Sequence, residues 1–257
     1  MKKFLINIIT FIFISSGIWA SADWSIGTAE TVPENKIEIG LFQPLQYGYS
    51  KDIELSVYPL WMFLMPNLTL KKAWPDLGPV SFASEHTLYY PTPLLDVIAK
   101  EGAGGILPAT SKVPHIFVFI NGVYFTYEIN SYLKITPSLF LYLSGNLGEK
   151  DFPTIDFMMA YHRTSVYHNN VSGRFGLDFD GNIIYNLDYN IDVDYFILND
   201  AKDNWALEHS LMLSYRFTKG FRILAGYKYA ISSVPYDKEK ADSLFFPLID
   251  FQWSVDF

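Results

Sequence analysis

The chain has 257 residues, with 19 Lys and Arg against 27 Asp and Glu, and no Cys. Its formal charge of −8 argues against nucleic acid or an anionic membrane surface as a partner. The missing thiol excludes disulfides, thiolate metal sites and a lipoprotein anchor together.

Met1-Lys2-Lys3 is a short basic stretch, and Phe4–Ile18 is almost wholly apolar. Ala20-Ser21-Ala22 follows as a small-x-small cleavage site, so residues 1–22 are read as a secretory signal peptide and Asp23 as the first mature residue. The apolar run is short for a permanent anchor. Removing Lys2 and Lys3 leaves 17 basic against 27 acidic residues, a formal charge of −10 on residues 23–257. No later apolar run is long enough for a transmembrane helix.

Lys36–Leu41 alternates Ile37, Ile39 and Leu41 with polar or small residues, and Ile53, Leu55 and Val57 do the same. The stretch Tyr47–Asp52 between them is expected to be a turn, giving a hairpin. Pro59–Pro66 loses the alternation and reads as a membrane-interface segment or an inward-folded plug. Asn67–Trp74 is a short strand, and Val80–Tyr90 a weaker candidate. Pro91–Pro114 is the chief interruption. Leu94, Leu95, Val97 and Ile98 share one face of a two-turn helix expected to stop at Gly102, inside a long loop or plug over 91–114. Its Gly104-Gly105 has no Lys in phosphate-loop spacing.

Beyond His115 the period of two is strong. Phe117, Phe119, Val123, Phe125, Tyr127 and Ile129 share a face, and Leu133–Leu143 and Ile155–Tyr161 continue the pattern. From Phe175 to Ile197 every odd position is apolar or Gly and most even ones are Asp or Asn. A spanning strand needs about 9–11 residues, so this run holds a turn, expected at Asp180-Gly181 or Asp188-Tyr189-Asn190. Trp205–Phe217 and Phe221–Ile231 form a hairpin. The tail Phe245–Phe257 (FFPLIDFQWSVDF) alternates again and ends with an aromatic residue on its apolar face.

That tail resembles the closing strand of Gram-negative outer-membrane β-barrels, which implies that Phe251, Trp253 and Phe257 are read by barrel-assembly machinery. Residues 23–42 and the motifs PLQYGYSKDIELSVYP, PTPLL and GAGG are similar to a bacterial outer-membrane protein family to which no function is assigned. The expected fold is all-β, an antiparallel up-and-down transmembrane barrel of about twelve strands, with ten or fourteen as alternatives. The 18 Tyr, 21 Phe and 6 Trp suit the aromatic girdles of such a barrel better than a soluble β-sandwich core. The expected location is the outer membrane, with its lipid and lipopolysaccharide as surroundings.

With apolar positions facing lipid, the alternate positions face the lumen. These are Glu128, Lys134, Asp156, His162, Arg174, Asp178, Asp188, Asp192, Asp194, Glu208, Arg216, Arg222, Lys228 and Asp250. They read either as a mutually paired network filling a narrow lumen or as a cation-biased pore or chamber. The alternating Asp residues fit no EF-hand spacing, so no metal or cofactor is expected. Outer-membrane lipid hydrolases carry a close His-x-Ser in one strand, whereas His162 and Ser165, and His209 and Ser210, point to opposite faces. The reading is a non-catalytic narrow channel for small solutes or a structural envelope barrel. The alternatives are a lipid-acting enzyme and a receptor or adhesin working through its loops.

Overall fold

The computed structural model describes residues 25–99, 112–149, 171–198, 205–233 and 242–257. They form twelve antiparallel strands: β1 (Lys36–Gly40), β2 (Leu45–Ser50), β3 (Ile53–Val57), β4 (Asn67–Leu77), β5 (Val80–Tyr89), β6 (His115–Asn130), β7 (Leu133–Leu147), β8 (Val171–Ile184), β9 (Leu187–Leu198), β10 (Trp205–Thr218), β11 (Phe221–Ser232) and β12 (Asp242–Asp256). Each pairs with its sequence neighbour, and β1 pairs with β12 from Lys36↔Asp256 to Gly40↔Gln252, closing the sheet. This is a closed, antiparallel up-and-down β-barrel of twelve strands. The signal peptide, Asp156 and His162 fall outside the described residues.

The two ends of the barrel differ. At the end carrying Lys36 and Asp256, called the near end, the strands turn in two residues: Lys51-Asp52, Gly78-Pro79, Ser131-Tyr132, Tyr185-Asn186 and Lys219-Gly220. At the far end, apart from the short β1–β2 link, the connections run through 58–66, 90–114, 148–170, 199–204 and 233–241. Short turns on one side and long loops on the other are typical of outer-membrane barrels.

Side chains alternate about the wall as the sequence pattern requires. Phe117, Phe119, Leu139, Leu141, Phe175, Tyr195, Ile197, Phe251 and Trp253 are exposed on the outer face, while Thr126, Thr136, Asp178, Asp194, Glu208, Asp250 and Gln252 are buried within. The outer face carries an aromatic band near the near end, where Tyr215, Phe217, Phe221 and Trp253 contact in sequence with centroid spacings of 4.8, 5.8 and 5.5 Å. No helix among the described residues is long and apolar enough to cross a membrane.

Three local expectations are corrected, and one is borne out. Tyr47–Ser50 is strand rather than turn, and only Lys51-Asp52 turns. Gly48 is there because the chain at Pro33 crosses it so closely that a Cβ would lie 1.9 Å from the Pro33 carbonyl. The turn between β8 and β9 is Tyr185-Asn186, neither of the two places expected. Asn182 builds it, its amide donating to the carbonyls of Tyr185 and Leu187 and to Asp188. Asp180-Gly181 stays in the ladder, where Gly181 admits the backbone of Tyr132. The strand expected over Val80–Tyr90 is borne out as β5. Finally, the helix α1 (Thr92–Ile98) ends at Ala99, three residues before Gly102.

Candidate functional site: the lumen

The N-terminal segment enters the barrel. Ser25, Thr28, Ala29 and Val32 are buried, held by lumen-facing side chains. Lys71 Nζ donates to the Ser25 carbonyl at 2.7 Å, and Gln46 Nε2 to Ser25 Oγ at 2.8 Å. Ala29 N–H donates to Thr126 Oγ1 at 2.8 Å, and Val32 N–H to Glu54 Oε2 at 2.9 Å. Lys134 Nζ reaches Glu30 Oε1 at 2.7 Å. These bonds supply partners for a backbone that would otherwise be desolvated without a sheet ladder. Sequence pattern gave no sign of this, because the segment has no periodicity of its own.

The far half of the lumen, on the side of β5 to β9, is filled by apolar packing. Tyr89, Ile116, Val118, Ile120, Phe140, Tyr142, Phe196 and Leu198 form one buried cluster, with Leu94 and Leu95 of α1 and Met65 from the 58–66 segment. Trp61 and Leu64 pack against it, whereas Leu60 and Phe63 are exposed. The 58–66 segment therefore puts apolar groups both inward and outward. Thr92 ties the helix down: its Oγ1 accepts the Ile116 N–H at 2.8 Å and donates to the Pro114 carbonyl. The sequence signal for this plug was the run HIFVFI in β6, apolar on both faces.

Beside the plug lies a chamber of about 1100 Å³. Glu128, Lys134, Asp178, Asp188, Asp192, Asp194, Glu208 and Arg216 all line it, together with Arg174, Arg222 and Lys228. Asp250 faces inward but is used in the wall. Its Oδ1 accepts the N–H groups of Leu41, Phe42 and Phe251 at 2.8, 3.1 and 2.9 Å. Gln46, Glu54, Lys71, Glu85 and Tyr124 are further lining groups that strand pattern had not singled out.

Many of the charges are paired: Arg174–Asp194 at 3.1 Å, Arg216–Asp188 at 2.8 Å, Lys228–Glu208 at 2.5 Å and Lys36–Glu38 at 2.9 Å. Asp178 and Asp192, however, stand directly opposite each other across β8 and β9. Opposed like charges cost stability in a sheet, so this pair carries a local cost with a functional reading. Gly176, opposite Asp194, leaves space that a Cβ would close, since it would come within 2.7 Å of Asp194 Oδ1.

Two cations mark the border between plug and chamber. The Arg174 guanidinium lies 3.9 Å from the Phe140 ring centroid, and Lys71 Nζ 5.2 Å from that of Tyr124. The two rings meet edge to face at 5.2 Å. Such contacts let one cation serve apolar and acidic neighbours together. Gly122 makes room for the Phe140 ring, which a Cβ there would meet at 2.1 Å.

The described histidines bond elsewhere than to a serine: His86 to Asn121 at 2.9 Å, His115 to the Tyr90 hydroxyl at 2.6 Å, and His209 to the Tyr227 hydroxyl and Asp192 carbonyl, each at 3.1 Å. No group of three or more metal-ligating side chains occurs among the described residues.

No family model matches this sequence, and no curated protein matches it. Among solved structures the barrel is similar to the OccK11 (OpdR) protein of Pseudomonas aeruginosa, at 10% identity and a TM-score of 0.43, over 87% of this chain and 63% of that one. It is also similar to the outer membrane channel DcaP of Acinetobacter baumannii, at 10% and 0.39, over 93% of this chain and 67% of that. The toluene transporter TodX of P. putida gives 9% and 0.38, over 86% and 78%. The chain thus spans less than two thirds of OccK11. The likeness is one of barrel architecture.

Proposed function

We propose that the protein is a non-catalytic outer-membrane barrel that admits small solutes to a narrow, acidic chamber. The observation that carries this reading is the chamber itself, about 1100 Å³ of space lined by charged side chains inside a closed sheet whose outer face is apolar. A barrel serving only as an envelope strut has no need to leave Asp178 and Asp192 opposed beside open space.

The short-turn end would face the periplasm and the long connections the exterior. The inserted segment around Ser25–Val32 and the apolar plug both narrow the route, which favours small solutes over a wide pore. Ten carboxylates against six basic side chains line the chamber, favouring cations. Phe251, Trp253 and Phe257 on the closing strand would serve assembly, and replacing Phe257 is expected to impair insertion more than transport.

Purified protein in planar bilayers tests the reading. Small, stable conductance steps with cation preference are expected. Folded, inserted barrels that pass no current would overturn it.

A further inference from the structure

The wall of the barrel is uneven. β12 pairs with β11 along Asp242–Trp253, but with β1 only along Gln252–Asp256. Above that point β1, β2 and β3 are five, six and five residues long, against 15 in β12. Among the described residues, the edge of β12 from Asp242 to Asp250 therefore has no strand beside it, a length of roughly 30 Å.

The ladder does not fray at this point; it is terminated. Asp250 takes the N–H groups of Leu41, Phe42 and Phe251 where the next rungs would begin, and its Oδ2 accepts from Gln252 Nε2 at 3.1 Å. Gly40 leaves room for this carboxylate, since a Cβ there would lie 2.5 Å from Asp250 Oδ2.

The open edge is also modified. The Phe251 carbonyl accepts the Leu41 N–H, so the backbone groups of odd-numbered β12 residues point toward β1. Pro247 is one of these, and it has no N–H to leave unpaired. Lipid-exposed sheet edges are not tolerated at bilayer depth unless they line a cavity. This one does. The chamber is lined by Phe246 and Leu248 from the inner face of β12 and by Pro247 and Ile249 from its outer face, so it wraps around the edge. Phe42 and Pro44, at the tip of the β1–β2 hairpin, line the facing side.

We infer that the barrel opens sideways between β12 and the β1–β2 hairpin, and that this opening holds the chain of a single-chain amphiphile with a cationic head. The apolar chain would lie against Phe246, Leu248, Phe42 and Pro44. The head would lie in the chamber, where carboxylates outnumber basic groups. The proposal shares the membrane placement and the chamber with the channel reading, but not the route.

The absence of native cysteine allows single-cysteine probes on a clean background. Fluorophores at Phe246→Cys and Leu248→Cys are compared in vesicles containing chain-labelled nitroxide phosphatidylcholine. Phe119→Cys, on the lipid face, is the positive control. Ser210→Cys is the lumen control, because it lies in register with Phe246 through Lys228 but two strands from the gap. Quenching at 246 and 248 close to that at 119, with little at 210, is the expected result. Quenching at 246 and 248 no greater than at 210 overturns the opening and leaves the channel reading standing. No quenching at 119 overturns both, since the barrel then lies outside lipid.

The occupant is tested by protection. Dodecyltrimethylammonium at about ten times its Kd should slow maleimide labelling of Phe246→Cys about tenfold. Tetramethylammonium, which has the head without the chain, should leave the rate unchanged. Equal effects from both, or none from either, overturn the assigned ligand class.

Discussion

The far-end inner face of β6–β7 and the near-end inner face of β8–β9 take the same alternating positions in one wall, yet their chemistry is opposite. The first presents Ile116, Val118, Ile120, Phe140 and Tyr142, closed by α1 and Met65. Toward the near end, the second presents Asp178, Asp180, Asp192 and Asp194 to open space. One closed sheet thus holds a plug packed like a soluble protein core beside a chamber lined by charge. Facing inward does not decide polarity in such a barrel. What decides it is whether another part of the chain is available to pack there.

The border offers the most damaging way to break this comparison. Arg174→Met removes the partner of Asp194 and the cation on Phe140 together, so a loss of about 3–5 kcal/mol is expected, read as earlier unfolding in lipid. Adding Asp194→Leu should restore much of it, because an unpaired buried charge is the main cost.

Leu95→Ala attacks the plug itself. The side chain is fully buried, and a loss of about 2–5 kcal/mol is expected, with a rise in single-channel conductance as α1 loosens. Unchanged conductance would mean that the helix does not obstruct the route.

Asp192→Asn sharpens the chamber side. Relief of the opposition to Asp178 should leave stability unchanged or raise it by up to about 1 kcal/mol, while cation preference measured by reversal potential falls. The smallest effect is expected outside the lumen. Lys112 and Glu149 pair at 2.9 Å but are mostly exposed, and Lys112→Ala should change stability by less than about 1 kcal/mol.

Much of the wall was legible in the sequence. Strands β6 to β12 follow directly from alternation, and Asp250 and Gln252 point inward with Phe251 and Trp253 outward, as the tail pattern requires. The turns were harder. Gly48 and Gly181 look like turn residues, but each marks a place where another backbone crosses a strand, and glycine serves both needs. The chamber-lining acids were legible one by one, although their pairing was not. Asp250 faces inward as expected, but its use as the cap that ends a ladder was not legible.

The sequence by itself determined the period of two and the face most side chains take, because these depend on neighbours along the chain, and it narrowed the strand number to about twelve. Only the tertiary structure decided that Ser25–Val32 enters the lumen, that α1 and Met65 fill one side of it, and that the wall stops short beside β12. These features come from contacts between residues as far apart as Leu41 and Asp250, or Ala29 and Thr126. No local pattern records such contacts, since the geometry that brings them together exists only once the sheet has closed.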